Sequence, residues 1–219
     1  AVGFGSKSTG NAATAIGSSS VAAGDFSIAI GQESKTAAGQ SFATALGYKS
    51  NASGWASFAQ GPLALASGDG SISIGDSSSA TGKNSIAIGG ASGANLDNSV
   101  ALGSRSRTST NAVTVTSATV GDITYGGFTG AVSSVGSQIS VGDTGNERQI
   151  KHVAAGTISQ TSTDAINGSQ LFSTQKALGN LASSTSSALG GGSNVQPDGS
   201  LSVPTYNINN QNVSTVSGA

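Results

Sequence analysis

Few residues in this chain have side chains that could perform enzyme chemistry. One histidine, His152, and no cysteine are present among 219 residues. A Ser/His/Asp triad would have to use His152, but no Gly-x-Ser-x-Gly motif precedes it to present a nucleophile. A lone histidine is more often a structural hydrogen-bonding residue than a switch or a ligand. We therefore expect no catalytic residue. For His152 we expect a structural contact, with a protonation-dependent contact as the alternative.

The acidic residues do not form a pattern typical of hydrolysis or metal binding. The first hundred residues contain a repeat that ends in glycine. Two residues after each of these glycines the residue type varies, and Glu33 is the one carboxylate among them. A glycosidase needs a pair of carboxylates, and calcium-binding turn repeats need acids in one phase. The predicted turns contain four acidic residues, which do not all occupy the same position of the repeat. They are Asp25, Asp69, Asp76 and Asp97. The sequence therefore predicts no enzyme activity, no metal and no cofactor.

Composition excludes several further classes of protein. Nine Lys and Arg against ten Asp and Glu give a net charge of −1, which is not the basic surface that nucleic-acid binding requires. No apolar run is long enough for a membrane helix and the N-terminus lacks signal-peptide features, so we expect any membrane anchor and export signal to lie outside this segment. The aromatic residues are too few for a carbohydrate-stacking platform, and Trp55 is expected to cover the edge of a coil.

A short repeat that ends in glycine organises the first hundred residues. The closing glycines are Gly5, Gly17, Gly31, Gly47, Gly61, Gly75, Gly89 and Gly103. Their steps are 12, 14, 16, 14, 14, 14 and 14 residues. Self-similarity at a short fixed period indicates a stacked architecture in which each repeat packs on its neighbours.

Each repeat is predicted to be one coil of a β-solenoid. In the clearest copies, such as 85–89 (Ser-Ile-Ala-Ile-Gly), two branched aliphatic residues flank a small one, which is the alternation of a short strand with one buried face. An earlier glycine, such as Gly82, marks a second turn. The two extra residues between Gly31 and Gly47 predict a bulged coil.

Two large aliphatic residues per coil give little apolar surface to offset the entropy of ordering so much Gly, Ser and Thr. We therefore expect several identical chains to pack their aliphatic stripes into one shared core. The residues predicted to form this core are Ile28, Ile30, Ile72, Ile74, Ile86, Ile88, Val100 and Leu102.

The chain changes character after Gly103. Short strands are predicted at 113–115, 123–125 and 139–141, and a helix is predicted after an N-cap signal at 162–164 (Ser-Thr-Asp). Three leucines give that helix a plausible coiled-coil stripe, which the glycine run at 190–192 ends. They are Leu171, Leu178 and Leu181. Beyond it, a few apolar residues, of which Val216 is the last, predict the start of a further β-rich module.

These features resemble the YadA-like heads of the trimeric autotransporter adhesins. The family consensus Asn-Ser-Val-Ala-Ile-Gly-x-x-Ser is followed closely at 84–92 and 98–106. The family's neck is similar to 148–150, 153–156 and 164–171. The Tyr-Gly-Gly-Phe motif at 125–128 also recurs before some necks of the family, so the resemblance covers roughly residues 1–189.

The resemblance implies a mainly β fold: a left-handed parallel β-roll (β-solenoid) head in a homotrimer, then a neck and a short trimeric coiled coil. The expected divisions are head repeats at 1–105, a β-rich head end or insertion at 106–145, the neck at 146–170, the coiled-coil start at 171–189 and a partial next head module at 190–219. The neck residues carried over are Arg148, Ile150, Val153, Asp164, Asn167, Gln170 and Leu171. Glu147 and Arg148 are expected to lie where the chains converge, where a charge buried among three subunits must be paired.

The function implied is that of a bacterial surface adhesin, exported across the outer membrane by type V secretion. Its expected partners are two further copies of itself and host extracellular-matrix proteins (collagen, fibronectin, laminin), host cells or abiotic surfaces. Candidate ligand-binding positions by resemblance are Asn84, Ser85, Ser92, Asn98, Ser99 and Ser106. Two alternatives remain open: these residues only close turns, or the segment is a mechanical spacer in a longer fibre.

Overall fold

The computed structural model describes residues 1–215; residues 216–219, including the predicted Val216, lie outside the described part. The chain folds into two compact units, Ala1–Gln149 and Ile150–Ala219.

The first unit is a parallel β-solenoid built on two sheets. Each coil supplies a three-residue strand to one sheet and a two-residue strand to the other, and neighbouring coils pair in parallel. The longer strands are β2 Thr14–Ile16, β4 Ile28–Ile30, β6 Thr44–Leu46, β8 Phe58–Gln60, β10 Ile72–Ile74, β12 Ile86–Ile88 and β14 Val100–Leu102. The shorter strands are β1 Lys7–Ser8, β3 Val21–Ala22, β5 Lys35–Thr36, β7 Asn51–Ala52, β9 Leu65–Ala66, β11 Ser79–Ala80, β13 Gly93–Ala94 and β15 Arg107–Thr108.

The interior of each coil is filled by small residues. The central residue of a longer strand points inward and is fully buried, as Ala29 and Ala87 are, while the flanking aliphatic residues point outward. Since the pairing is in register, Ile72, Ile86 and Val100 lie in one row. The buried face of the predicted strand is therefore the alanine face, and the aliphatic side chains lie on the outside of the single chain.

Glycine closes the turn after each longer strand because no side chain fits there. Gly75 has φ 135°, and a Cβ atom on it would lie 2.6 Å from the carbonyl carbon of Gly89 in the next coil. That distance is shorter than real Cβ contacts, and the backbone conformation is one that favours glycine. The close approach of successive turns thus explains the periodic glycines.

The end of the first unit differs in part from the prediction. An antiparallel hairpin pairs β16 Ser117–Val120 with β17 Ile123–Gly126, whereas 113–115 is not a strand. The last strand, β18 Ile139–Ser140, pairs in parallel with β14 and extends the first sheet by one row.

The second unit contains one long helix and a hairpin. The helix α1 spans Gly168–Leu189, and Gly190 ends it with φ 62°. It begins three residues later than the signal at 162–164 predicted, because Asn167 and Gln170 form the N-terminal capping box. Two short strands follow, β19 Tyr206–Ile208 and β20 Gln211–Val213. Within residues 1–215, no helix has both the length and the apolar character needed to cross a membrane.

Candidate binding surfaces of the head and neck

Among the predicted ligand-binding residues, only the two asparagines present their side chains at the surface. Asn84 and Asn98 lie in the turn before a longer strand, with φ 54° and 57°. The Nδ2 of Asn84 donates to Oδ1 of Asn98 across 3.4 Å. The backbone conformation suits asparagine, which tolerates the left-handed region better than most residues.

The four predicted serines lie inside the coils and are at most 1% exposed: Ser85, Ser92, Ser99 and Ser106. The hydroxyl of Ser92 donates to the carbonyl of Gly89 at 2.8 Å, and that of Ser99 to the carbonyl of Leu96 at 2.6 Å. The Gly89 carbonyl also accepts the backbone N–H of Ser92 at 3.2 Å, so this hydroxyl adds a second hydrogen bond to the turn. The hydroxyl of Ser85 is buried without a hydrogen-bond partner. Among the six predicted positions, only Asn84 and Asn98 therefore have side chains that a ligand could reach.

The four turn acids do not share one phase, because Asp76 lies in the other turn, but the remaining three do share one. Asp25, Asp69 and Asp97 lie at equivalent positions of the turn before the longer strand. Each carboxylate Oδ1 accepts the backbone N–H of the residue one coil earlier, at 2.8, 2.9 and 2.7 Å respectively. The step from Gly31 to Gly47 has two extra residues, so Asp25 and Asp69 are not separated by a multiple of the 14-residue repeat and their equivalence is not evident from the sequence. The acids link successive coils, and no group of three or more His, Cys, Asp and Glu side chains suited to a metal occurs within residues 1–215.

The same turns form a ridge that carries an aromatic cluster. Phe26 and Phe42 are stacked with ring centroids 5.3 Å apart and an interplanar angle of 7°. Trp55 meets Phe42 edge-on at 6.2 Å. All three rings are about half exposed, and we call them the aromatic edge. The sequence analysis placed Trp55 at a coil edge but missed the cluster; alignment of the turns across the 16-residue step would have found it.

The predicted trimer-core residues form an outward stripe on the first sheet. Ile28, Ile30, Ile88 and Leu102 are between 36% and 47% exposed in the single chain. The other four are half-buried: Ile72, Ile74, Ile86 and Val100. In-register pairing aligns the stripe from coil to coil, and the polar Thr44 and Gln60 interrupt it between Ile30 and Ile72. An extended apolar strip on a protein surface is typical of an interface.

Arg148 caps the last coil of the solenoid. Its Nη2 donates to the carbonyl of Ser104 at 2.6 Å, and its Nη1 to the carbonyl of Val141 at 2.6 Å and to Oγ of Ser106 at 3.0 Å. One coil earlier, the carbonyl equivalent to that of Ser104 accepts a backbone N–H from the next coil. Arg148 thus replaces a backbone donor that a further coil would supply. These three partners lie in its own chain, and the predicted role of Arg148 between chains stays a prediction.

Glu147 is held by the loop that precedes it. The backbone N–H of Gly145 donates to its Oε1 at 2.9 Å, and this hydrogen bond lowers the pKa of the exposed Glu147 carboxyl group. The side chain is therefore ionised at neutral pH. His152, the remaining candidate for a pH-dependent contact, is exposed and has φ 60°.

The neck segment folds back on the first turn of α1 through side chains that the family motif identified. The Gln170 side chain pairs with both backbone groups of Gly156, accepting the N–H at 3.0 Å and donating to the carbonyl at 2.7 Å. The Asn167 amide donates to the carbonyl of Val153 at 3.1 Å. Asp164 accepts the backbone N–H of Thr157 at 2.9 Å.

The apolar neck residues have a different environment from these hydrogen-bonding ones. Ile150 is 71% exposed and Leu171 is 55% exposed, whereas Val153 is half-buried. The hydrogen-bonded neck residues thus stabilise the single chain, and the exposed apolar ones remain free to contact other surfaces.

Two family models match the chain over the regions just described. A model of the YadA head domain repeat matches residues 1–20, 8–34, 56–79 and 80–106. A model of the coiled stalk of trimeric autotransporter adhesin matches residues 149–194. Together they cover more than half of the chain.

Individual relatives are similar to parts of the chain. The autotransporter adhesin BtaE of Brucella suis biovar 1 (strain 1330) is 48% identical over 73 residues, which are 33% of this chain and 10% of that protein. The autotransporter adhesin EhaG of Escherichia coli O157:H7 is 44% identical over 70 residues, 32% of this chain and 4% of that protein. The chain thus spans a tenth or less of the length of these curated relatives.

A solved structure is similar over most of the chain. The collagen-binding domain of the Yersinia adhesin YadA aligns with a TM-score of 0.57 and 29% sequence identity, and the match covers 80% of this chain and 84% of that one.

Proposed function

Because the chain belongs to the YadA-like trimeric autotransporter adhesins, we propose that it is a segment of a bacterial surface adhesin whose trimeric head attaches to host cells, extracellular matrix or other surfaces. The observation that carries this proposal is the match of four fifths of the chain to the collagen-binding domain of YadA. Collagen is therefore the first matrix ligand to test, followed by fibronectin and laminin. On this proposal the protein is a binding protein and not an enzyme, exposed on the outer surface of the bacterium.

The proposed division of labour follows the predicted segments. Residues 1–105 are the adhesive head, 106–145 its end, 146–170 the neck, 171–189 the start of the trimeric stalk and 190–219 part of a further module. The outward aliphatic stripe, which includes Ile86 and Ile88, supports trimer formation, because burying half-exposed branched side chains stabilises an interface.

Binding by this head is proposed to be weak at each site and multivalent. Asn84 and Asn98 repeat at the same place in successive coils, and a trimer triples their number. Linked weak sites gain avidity of about 10²–10⁴ without a strong contact. A single substitution such as Asn84→Ala should therefore change attachment little.

Deletion of residues 76–103 tests the proposal. This removes two complete coils, including β12 and β14, and leaves the phase of the remaining turns intact. A surface-binding assay should show a marked loss of attachment to at least one matrix protein, while circular dichroism and sedimentation show a folded trimer. Undiminished attachment by that folded trimer to every matrix protein tested would identify the repeats as a spacer, with adhesion in another part of the protein.

A further inference from the structure

The aromatic edge is an exposed cluster that the proposed adhesive surface does not include. Phe26, Phe42 and Trp55 are 55%, 54% and 51% exposed, and their rings contact one another across three successive coils. Farther along the same ridge, the position of the two phenylalanines is occupied by Gly70, Asn84 and Asn98, and that of Trp55 by Asp69, Lys83 and Asp97. Aromatic residues are enriched at sites of protein recognition, where they supply much of the binding energy.

The cluster coincides with the irregular part of the solenoid. Phe42 belongs to the coil of 16 residues between Gly31 and Gly47, in which the extra residues enlarge this turn. The family model of the head repeat matches the chain on either side but not residues 35–55, which contain Phe42 and Trp55. Local irregularities of regular β-structure are found preferentially next to functional sites. The aromatic edge is thus a departure of this chain from the repeat.

The two phenylalanines occupy a backbone conformation that does not suit them. Phe26 has φ 55° and Phe42 has φ 63°, and bulky residues are rare in the left-handed region. Two later coils have asparagine at the equivalent position, Asn84 and Asn98, and asparagine tolerates this conformation. The left-handed conformation itself recurs at this position in other coils, as at Ala12 and Ala56, so what distinguishes these two coils is the bulky ring placed there.

The charges beside the rings indicate the kind of partner. The carboxylates of Asp25 and Asp69 lie in the turns at either end of the cluster. From residue 9 to residue 70, the turns on this ridge contain no Lys or Arg, and the first cation along it is Lys83. Aromatic faces attract cations, Trp most strongly, and the carboxylates add charge complementarity.

We propose that the aromatic edge binds arginine or lysine side chains of a partner protein, with the cation over an aromatic face and Asp25 and Asp69 neutralising its charge. This inference rests on the proposed adhesive function only in that it names a protein partner. It concerns a different site from Asn84 and Asn98, so its test can succeed or fail independently of attachment to matrix proteins.

Trp55 provides the measurement because it is the one tryptophan of the chain. Its fluorescence should change saturably when the assembled protein is titrated with the peptide acetyl-Gly-Arg-Gly-Arg-Gly-amide. The response should weaken as sodium chloride is raised, because salt screens exposed charges. The same peptide with glutamine in place of arginine should give no saturable change.

Three variants locate the site without disrupting the fold. Phe42→Asn removes a ring and introduces the residue type found at the equivalent positions Asn84 and Asn98. Because asparagine tolerates the left-handed backbone conformation, this variant should keep or raise the melting temperature. Asp69→Asn removes the charge but keeps an oxygen that can accept the Trp55 backbone N–H. Each change should weaken peptide binding about two- to fivefold. Tyr48→Ala, in the turn on the other side of the strand β6, is the matched control and should leave binding unchanged.

Several results would overturn the inference. These are equal responses to the arginine and glutamine peptides, a saturable response to a neutral trisaccharide with none to the arginine peptide, and unchanged binding by both Phe42→Asn and Asp69→Asn. Failure of acrylamide to quench Trp55 in the assembled protein would also overturn it, because a second copy of the chain would then cover the aromatic edge.

Discussion

At the scale of single residues, Arg148 determines how the solenoid ends. A β-sheet edge leaves backbone groups without partners, which natural proteins cover or block. The guanidinium group of Arg148 satisfies the carbonyls of Ser104 and Val141. Arg148→Ala should therefore lower the free energy of unfolding by about 1–2 kcal/mol, measured by urea unfolding followed by circular dichroism.

Lys83→Ala is the control for this substitution, because Lys83 is an exposed cation on a turn of the same solenoid. It should change stability by less than about 0.5 kcal/mol. Equal unfolding midpoints for the two variants would show that the Arg148 cap does not stabilise the last coil.

Residue patterns predicted backbone roles better than side-chain environments. The periodic glycines were recognised from spacing alone, because a turn without room for a Cβ atom admits no other residue, as at Gly75. Burial of Ser92 and Ser99 was not predicted, since serine is usually exposed and only the narrow coil interior places its hydroxyl against turn carbonyls. The aromatic edge was missed because its members are separated by 16 and 13 residues in the sequence.

At the scale of elements, the start of α1 depends on Asn167. Its side chain accepts the backbone N–H groups of Ser169 and Gln170, and its amide also donates to the carbonyl of Val153. Asn167→Ala should lower the free energy of unfolding of the neck and helix by about 1 kcal/mol, measured as a loss of helical circular dichroism signal at lower denaturant. Ser173→Ala, one turn into the same helix, is the control, and an equal effect of both changes would contradict the capping role.

Periodicity predicted the longer strands but not the shorter ones. The strand β12 Ile86–Ile88 has two branched residues around alanine, whereas β5 Lys35–Thr36 has only two residues and no apolar alternation. A two-residue strand gives no periodic signal, and its pairing depends on stacking of the coils. The start of α1 was placed too early because 162–164 also contains capping residue types, and the structure uses Asn167 instead.

At the scale of the whole molecule, the outward stripe links fold to function. The coil interior is made of Ala and Ser, so the largest aliphatic side chains of the repeats contribute little to the core of a single chain. Ile28 and Ile88 remain more than one third exposed, and their burial in a trimer would supply the apolar contacts that one chain lacks. The proposed adhesion by many weak sites would also depend on this assembly.

Sedimentation equilibrium of residues 1–219 tests the central claim most directly. We expect a mass three times that of the 21.0 kDa chain, with a trimerising tag at the C-terminus if the short α1 does not hold the chains together in dilute solution. Ile88→Glu should shift that equilibrium toward smaller species. A folded monomer with a cooperative thermal transition, tagged or untagged, would contradict a shared core and with it the account of this chain as a trimeric adhesin head.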